Sequence, residues 1–359
     1  MSKFWSSTVK NTEPYQPGEQ PYEAGVIKLN TNENPYPPSP KSIESMKLAV
    51  NDHLRRYPSP TLDQLKIKIG EKEGVSDQNV FVGNGSDEVL AFAFQAFFEP
   101  NEAIKFPEIT YSFYPVYCKL FDIPFQEVPL KEDLSIDVEG MKSAIGGVIF
   151  PNPNAPTGIA LNIEQVEEIV KANANKVVII DEAYVDFGAE SAVQLTHTYP
   201  NLLVTKTLSK SHALAGMRLG YAVGQKHLIQ GLIRIKNSFN SYTINRVTLA
   251  GAEAAVQDEE YYREILNQII ATREWCKDVF EALSFEVVDS KANFLFLKPL
   301  HVDAAYLYEQ LKIRGIYVRF FNKPVINGYI RVTVGTDEEM RALIQAVKEI
   351  VRCQVHNYV

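Results

Sequence analysis

Lys210 is the residue of this sequence whose surroundings most favour covalent chemistry. It lies in the segment TKTLSKSHALAGMRLGY, where hydroxyls at Thr207 and Ser209 precede it and Arg218 follows eight residues later. A lysine that forms a Schiff base must be desolvated enough for its amine to be nucleophilic near neutral pH. Hydroxyls and an arginine would bind a phosphate on the same ligand. A single lysine is otherwise a solvated surface residue, which is what we expect of Lys206.

A carboxylate and a phenol follow a second apolar run. In VVIIDEAYVDF the apolar residues end at Asp181, and Tyr184 follows three residues later. A carboxylate at the end of a buried strand needs a cationic partner or hydrogen bonds. A protonated pyridine nitrogen would be such a cation, and the Tyr184 hydroxyl could reach the same ligand. An aspartate that caps a turn would have the same sequence, so this segment alone leaves both interpretations open.

A glycine-containing turn is the third chemical feature. In VFVGNGSDE, Gly83 and Gly85 would let the backbone approach a ligand closely. We predict that Ser86 caps the following helix, and that the free N–H groups of Ser86, Asp87 and Glu88 cradle a phosphate. An ordinary strand–helix turn is the alternative. The third glycine of a dinucleotide-binding fingerprint is missing.

The loop FPNPNAPTG is the fourth feature, at the end of another apolar run. Asparagine side chains at a strand end can present amides to a ligand oxygen. Loops this rich in proline and asparagine also form simple turns, so the loop gains meaning only beside the other three features.

The elements that must position these residues alternate between strands and helices. Strands interleaved with helices predict a mostly parallel sheet covered on both faces, and ligands of such sheets bind beyond the carboxyl ends of the strands. The predicted strands are Val80–Val82, Ala103–Lys105, Gly147–Phe150, Val177–Ile180, Leu202–Thr205 and Gly220–Val223.

The C-terminal third has a different pattern. A long helical region, Thr243–Phe280, precedes four predicted strands, Phe285–Val288, Asn293–Leu297, Ile316–Val318 and Tyr329–Thr333, with helices at Val302–Lys312 and Asp337–Val351. We therefore predict three parts: an extended arm over residues 1–41 that docks on the small domain, a large α/β domain over 42–262, and a small α+β domain over 263–359.

Composition excludes several other functions. The net charge of −8 and the lack of any basic block argue against nucleic-acid binding. No apolar stretch is long enough for a membrane span, and no signal peptide is evident. The three cysteines form no paired motif and no two histidines have metal-ligand spacing, so we expect no metal site and a cytoplasmic location.

In combination the four features resemble the fold-type I aminotransferases that depend on pyridoxal 5′-phosphate (PLP). The resemblance extends from about Pro14 to Val351 and is closest to the histidinol-phosphate aminotransferase group, whose motifs are similar to TNENPYPP (Thr31–Pro38), RRYPSP (Arg55–Pro60) and IRVTVGT (Ile330–Thr336). It implies a seven-stranded sheet in a large domain, transamination between histidinol phosphate and glutamate or 2-oxoglutarate in histidine biosynthesis, and a homodimer.

The resemblance also implies roles for individual residues. Lys210 would form the Schiff base, Asp181 would pair with the pyridine nitrogen, and Tyr184 with Asn154 would contact the ring O3′. The family often has asparagine where Ala155 stands, which is why we take Asn154. The remaining cofactor contacts would be Tyr111 on the ring face, Ser86, Asp87, Glu88, Thr207, Ser209 and Arg218 at the phosphate, and Tyr57 from the neighbouring subunit.

Substrate recognition must accommodate a carboxylate and a phosphate, and arginine suits both. The resemblance implies Arg319 and Arg331 for this role, with Tyr15 and Asn32 beside them. Two alternatives stay open. The chain could be an aromatic amino-acid aminotransferase on the same scaffold, or a PLP-binding regulatory module without activity, although it lacks a basic face.

Overall fold

The computed structural model describes residues 2–21, 23 and 25–357, the last three by their backbone alone. Within these residues a seven-stranded sheet forms the centre of the molecule, in the order β2-β8-β7-β6-β5-β3-β4. Its strands are β2 (Val80–Gly83), β3 (Ile104–Pro107), β4 (Phe125–Val128), β5 (Val148–Pro151), β6 (Val178–Asp181), β7 (Leu202–Thr207) and β8 (Gly220–Gly224). Only β8 runs antiparallel to its neighbours, so the prediction of a mostly parallel sheet is confirmed.

Both faces of this sheet are covered. Val178 and Ile180 pack into one apolar cluster, whereas Ile179 between them packs into another on the opposite face. Successive strand residues point to opposite faces, so a strand buried on both sides must be apolar throughout. This is why the strand-forming segments have continuous apolar runs.

Eleven α-helices lie in the described part of the chain. They are α1 (Ser7–Asn11), α2 (Pro40–Ala49), α3 (Asp63–Glu73), α4 (Gly85–Phe97), α5 (Phe113–Phe121), α6 (Ile163–Ala172), α7 (Lys226–Phe239), α8 (Arg246–Gln257), α9 (Glu259–Ala282), α10 (Ala304–Ile313) and α11 (Asp337–Asn357). Helix α6 illustrates their local logic, because Asn162 and Gln165 form a reciprocal capping box while Val166, Ile169 and Val170 turn inward. None of the described helices is both long and apolar enough to cross a membrane.

A second, antiparallel sheet has the order β12-β13-β10-β9 and packs against the C-terminal helices. It contains β9 (Phe285–Val287), β10 (Phe294–Pro299), β12 (Arg319–Phe320) and β13 (Ile330–Thr333). The predicted strand at Ile316–Val318 does not join it. Instead β11 (Ile316–Tyr317) pairs in parallel with β1 (Ile27–Lys28), which belongs to the N-terminal segment. That segment is not extended throughout, because it contains the helix α1. The two predicted boundaries between the three parts stay a prediction.

Two further differences have local causes. Strand β4 was not predicted, because it lies at the sheet edge with Phe125, Gln126 and Glu127 exposed and so lacks an apolar run. The long helical region is interrupted at Asp258, whose carboxylate is bound by Ser39 and Lys41, so that α8 ends before it and α9 begins after it.

Candidate active site

The strand ends converge on a cavity of two adjoining compartments. The inner one has a volume of about 110 Å³ and the outer one about 160 Å³. Tyr111, Ala155, Tyr184 and Lys210 line both, so the lysine amine stands where the two meet. A larger groove of about 620 Å³ elsewhere on the molecule is lined by none of the predicted site residues.

One end of the inner compartment is suited to an anion. Ser86 and Asp87 lie in the first turn of α4, where backbone N–H groups have no partner within the helix. Arg218, immediately before β8, reaches the same place because β8 begins opposite the end of β2. Its Nη2 donates to Asp87 at 2.8 Å, and the Tyr111 hydroxyl donates to the other carboxylate oxygen at 2.8 Å. These groups fit a phosphate.

One expectation at this helix needs correction. The N-cap is Asn84 and not Ser86, which lies inside the first turn. The Glu88 carboxylate accepts the Asn84 N–H at 2.6 Å, and Glu88 does not line the compartment, because its side chain caps the turn instead. Only its backbone could take part in anion binding.

The other end of the inner compartment holds Asp181, the last residue of β6. Its carboxylate accepts the Tyr114 hydroxyl at 3.1 Å and the Ala183 N–H at 3.2 Å. Burial raises the pKa of Asp181 to about 6, and these hydrogen bonds oppose the shift only in part. A buried carboxylate with no ion-pair partner among the described residues fits a protonated ring nitrogen at this position.

Tyr184 and Asn154 occupy different environments. The Tyr184 hydroxyl accepts the Asn32 amide at 2.8 Å and lines both compartments. Asn154 is fully buried behind the cavity wall, where its Nδ2 donates to the Ile109 carbonyl at 3.0 Å. Its Oδ1 is buried and has no partner among the described residues, so this acceptor is available only if the wall adjusts.

Lys210 is partly buried, and its Nζ donates to the Thr31 carbonyl at 3.2 Å. Burial, together with the nearby charge of Arg331, lowers the pKa of Lys210 to about 8. The loop is fixed from the other side, because the Asn34 amide donates to the Lys210 carbonyl at 2.9 Å. A lysine that loses its proton this readily suits both nucleophilic attack and proton transfer.

The hydroxyls before Lys210 shape its loop. Thr207 donates to the Leu219 carbonyl at 3.2 Å and accepts the Ser209 N–H at 3.1 Å. Both Thr207 and Ser209 line the inner compartment.

The outer compartment is cationic. Strand pairing places Arg319 directly opposite Arg331, so the two guanidinium groups share one face of the small sheet. Arg331 donates to the Asn30 carbonyl at 3.0 Å and lies over the Phe294 ring, but its buried Nε has no partner among the described residues. Like charges placed opposite each other are unfavourable without an anion between them. The pair therefore fits an anionic substrate group.

Two predicted residues lie at the edges of this arrangement. Tyr15 stacks on Phe113 with ring centroids 4.2 Å apart and lines the outer compartment. Tyr57 lies outside both compartments, 78% exposed, where it stacks on Tyr242.

The structure corrects the expectation for Lys206. This lysine is not solvated: it is 6% exposed, and its Nζ donates to both carboxylate oxygens of Glu73 at 3.0 and 3.1 Å. Lys206 and Thr207 point to opposite faces of β7. Lys206 therefore does not share the surroundings of Lys210, although only four residues separate the two lysines.

Sequence reasoning missed several residues of the site. Tyr114 was not singled out, although its spacing from Tyr111 in PEITYSFY would place both on one side of a helix start. Asn30 and Thr31 also line the outer compartment. Thr31 is the first residue of the motif TNENPYPP, and Asn30 directly precedes that motif. Thr110 and Phe321 had no signal in the sequence that we can identify.

The fold, and a site in which a lysine, a buried carboxylate and an anion cradle line one compartment, are those expected of a PLP-dependent transferase. The chain belongs to the class I and II aminotransferases, whose family pattern matches residues 24–347. The predicted enzyme class is thereby confirmed.

Individual relatives give a narrower similarity. The chain is 52% identical to histidinol-phosphate aminotransferase 1 of Oceanobacillus iheyensis over 98% of its own length and 99% of the relative's. It is 51% identical to the histidinol-phosphate aminotransferase of Clostridium botulinum with the same coverage. The fold is also similar to a Sinorhizobium meliloti histidinol-phosphate aminotransferase solved with PLP, with a TM-score of 0.89 at 23% identity, covering 98% of this chain and 99% of that one.

Proposed function

We propose that this chain is a PLP-dependent aminotransferase that transfers an amino group between histidinol phosphate and 2-oxoglutarate, in histidine biosynthesis. The observation that carries the proposal is the pair Arg319 and Arg331, held opposite each other a short distance from Lys210. The names of relatives about half identical over nearly the whole chain support the same substrate.

The inner compartment would hold the cofactor. Lys210 would attach its aldehyde carbon, Asp181 would face the ring nitrogen, and Tyr184 would face O3′. Asn154, which lies behind the wall, would reach O3′ only if the wall adjusts. Tyr111 would cover the ring, and the phosphate would lie against the start of α4 with Arg218. When bound, PLP supplies an electron-withdrawing ring that stabilises negative charge on the substrate α-carbon.

Lys210 has a second task in this proposal. Its Nζ accepts the proton from the substrate α-carbon, a role that suits a base titrating near the operating pH. The Thr31 carbonyl keeps the amine at the junction of the two compartments while it does so. The Asn32 amide holds the Tyr184 hydroxyl in place. The hydroxyl in turn limits how far the reacting group can move within the cavity.

The outer compartment would select the substrates. A phosphate and a carboxylate both match the forked donors of arginine, so one arginine pair can serve both half-reactions. The unpartnered Nε of Arg331 and the opposed Arg319 leave donors for such an anion. Tyr15 lies across the opening and would cover the bound substrate.

We further propose a homodimer in which Tyr57 reaches the phosphate of the partner's cofactor, in the cytoplasm. Tyr57 is among several exposed apolar side chains in one stretch of the chain, which include Leu48, Val50 and Leu54. A large exposed aromatic that stands outside its own site is consistent with a role across an interface.

Turnover of candidate amines tests the substrate. We expect kcat/KM for histidinol phosphate with 2-oxoglutarate to exceed that for phenylalanine. In Arg331→Ala, KM should rise about ten- to a hundredfold for histidinol phosphate and for glutamate, since a charge-assisted hydrogen bond is lost for each. Arg314→Ala, an exposed arginine at the end of α10, is the control. Preference for phenylalanine would support the aromatic aminotransferase instead, and unchanged glutamate kinetics would contradict a shared anion site.

A further inference from the structure

A group of buried and half-buried ionic side chains lies behind the catalytic face of the central sheet. We call Lys72, Glu73, Glu182, Asp186 and Lys206 the buried charge network. At its centre Lys206 binds both oxygens of Glu73, and Glu182 approaches Lys206 to 4.0 Å. Burial opposes the charge on Lys206, but the neighbouring carboxylates raise its pKa overall. Burial raises the pKa of Glu182 to about 7.

Hydrogen bonds fix the geometry of this centre. Glu73 also accepts the Tyr221 hydroxyl at 2.6 Å. The two oxygens of Glu182 accept the Ser191 hydroxyl and the Ala192 N–H, each at 2.6 Å. Every carboxylate oxygen here therefore has a defined donor, which restricts the strands and helices that carry these residues.

The other half of the network adjoins the lysine loop. Lys72 lies 2.9 Å from His212 Nε2 and above the ring of Tyr262, which stacks on His212. Burial and Lys72 hold the pKa of His212 well below its usual range, so the ring is neutral and Nε2 accepts from Lys72. Nδ1 then carries the proton and donates to the Ser211 hydroxyl at 3.1 Å. Burial opposes the charge on Asp186, but the charges of Lys206 and Lys72 lower its pKa overall.

The network adjoins each proposed catalytic residue along the chain. Glu182 directly follows Asp181, and Asp186 lies in the turn Val185–Phe187 that directly follows Tyr184. Ser211 and His212 directly follow Lys210, while Lys206 precedes it on β7. Three segments that meet at the cavity from different elements are thus tied to one ionic centre on the other face of the sheet.

We propose that the buried charge network positions Lys210, Asp181 and Tyr184 relative to one another, so that Glu73 and Lys206 are positioning residues of the reaction. This rests on the proposed function. Buried ion pairs are costly to desolvate, and an apolar replacement is often as stable. Directed ionic contacts also fix the geometry of the residues that they join. Geometry matters here because small misplacements of reacting groups slow a reaction strongly.

The test compares two replacements of the network. Glu73→Gln keeps the shape and removes the charge, and we expect kcat to fall about ten- to a hundredfold while KM for both substrates stays within about twofold, because the arginine pair is untouched. The combined variant Glu73→Leu, Lys206→Met, Tyr221→Phe should regain the unfolding free energy lost in Glu73→Gln without regaining kcat. Glu253→Gln, which breaks a partly exposed pair with Lys68, is the control.

A measurement on the cofactor-free protein distinguishes a loss of positioning from other causes of a lower kcat in Glu73→Gln. The pH dependence of Lys210 modification by an amine reagent reports its pKa directly. In Glu73→Gln this profile should move upward from about 8 towards 10.5 as the loop loosens and water reaches the amine. Should Glu73→Gln fail to fold, Ser211→Ala takes its place, with a smaller effect in the same direction.

The proposal is overturned by unchanged kcat in Glu73→Gln, by a fall in kcat without a shift of the Lys210 profile, or by recovery of kcat in the combined variant. If the wild-type protein turns over no amine while the Lys210 profile still shifts in Glu73→Gln, the proposed function fails and the positioning of Lys210 stands.

Discussion

Lys210 combines two properties that oppose each other. Its amine is partly buried, with a single backbone carbonyl as its hydrogen-bond partner among the described residues. Burial therefore disfavours the charged form, and the folded protein is less stable at neutral pH than it would be without this lysine. The same property makes the amine reactive, so activity and stability compete at one residue.

Replacing Lys210 by alanine should separate its effect on activity from its effect on stability. We expect Lys210→Ala to lose transamination by at least about a thousandfold and to lose the absorbance of the covalently held cofactor. The cofactor-free variant should fold at least as stably as the wild type near pH 7, because a desolvated ammonium group is removed.

The stability difference should depend on pH. The folded pKa of Lys210 is about 8 and its ordinary value is 10.5, so the unfolded chain binds more protons between these values. Wild-type stability should therefore rise relative to Lys210→Ala as the pH passes from 8 to 10.5. Denaturant unfolding of both cofactor-free proteins measures this, with the exposed Lys131→Ala as control. Retained turnover or absorbance in Lys210→Ala would refute the assignment of the lysine.

Individual residues could be assigned from sequence only when they stood at the end of an apolar run. Asp181 and Lys210 were singled out this way, and their roles in the site stay predictions. Lys206 was misjudged because its partner Glu73 lies 133 residues away, and local sequence carries no trace of that contact. Tyr114 was missed for the same reason, since it acts through a hydrogen bond to Asp181 across 67 residues.

At the level of elements, the start of α4 depends on a glycine. Gly85 has a φ of 79°, in the left-handed region, and a Cβ atom there would lie 2.6 Å from Arg218 Nη2. The absence of a side chain thus lets the arginine cross the helix start and reach Asp87. Gly85 therefore leaves room for the Arg218 side chain and also allows the left-handed backbone conformation of the turn.

Gly85→Ala should therefore weaken cofactor binding by displacing Arg218. We also expect the unfolding free energy to fall by about 1–3 kcal/mol, the usual cost of a left-handed conformation outside glycine. PLP titration and denaturant unfolding measure the two effects. Gly216→Ala is the matched control, because its added Cβ would meet no atom within 4 Å. Wild-type affinity in Gly85→Ala would contradict the role of this cradle.

Elements were predictable where burial imposed a pattern. The six predicted strands of the central sheet were found because most of their residues are apolar and buried, on both faces of the sheet. The edge strand β4 and the short strand β1 could not be found, since their strand character comes from pairing and not from composition. Strand β11 was predicted, but its pairing with β1 was not. The Ser86 cap was misplaced by two residues because Asn84 and Glu88 cap the turn together.

For the whole molecule, the site requires parts distant in sequence. The inner compartment is built by the central sheet, whereas the arginine pair belongs to the small sheet and Tyr15 to the N-terminal segment. Sequence predicted the parts but not their distances, because no pattern along the chain specifies how the two sheets face each other.

The proposed dimer can be tested by complementation. Tyr57→Phe should weaken PLP binding while light scattering still finds a dimer, since only a hydroxyl is removed. If Tyr57 acts across the interface, mixed dimers with Lys210→Ala should regain one complete site, in which the Lys210→Ala subunit supplies the tyrosine. Tyr242→Phe, its stacking partner, is the control. A monomer, or mixed dimers without recovered activity, would refute the shared site.

The contact between Asn32 and Thr333 has a consequence for the way this protein is made. These residues hydrogen-bond across 301 positions of sequence, and Asn32 in turn fixes Tyr184. While the chain is being translated, the lysine loop emerges long before the strand that carries Arg331 and Thr333. The nascent protein thus contains Lys210 before it contains the residues that enclose its amine. Contacts between residues so far apart in sequence also form slowly. A ribosome that stops early would release a chain with the lysine but without the arginine pair.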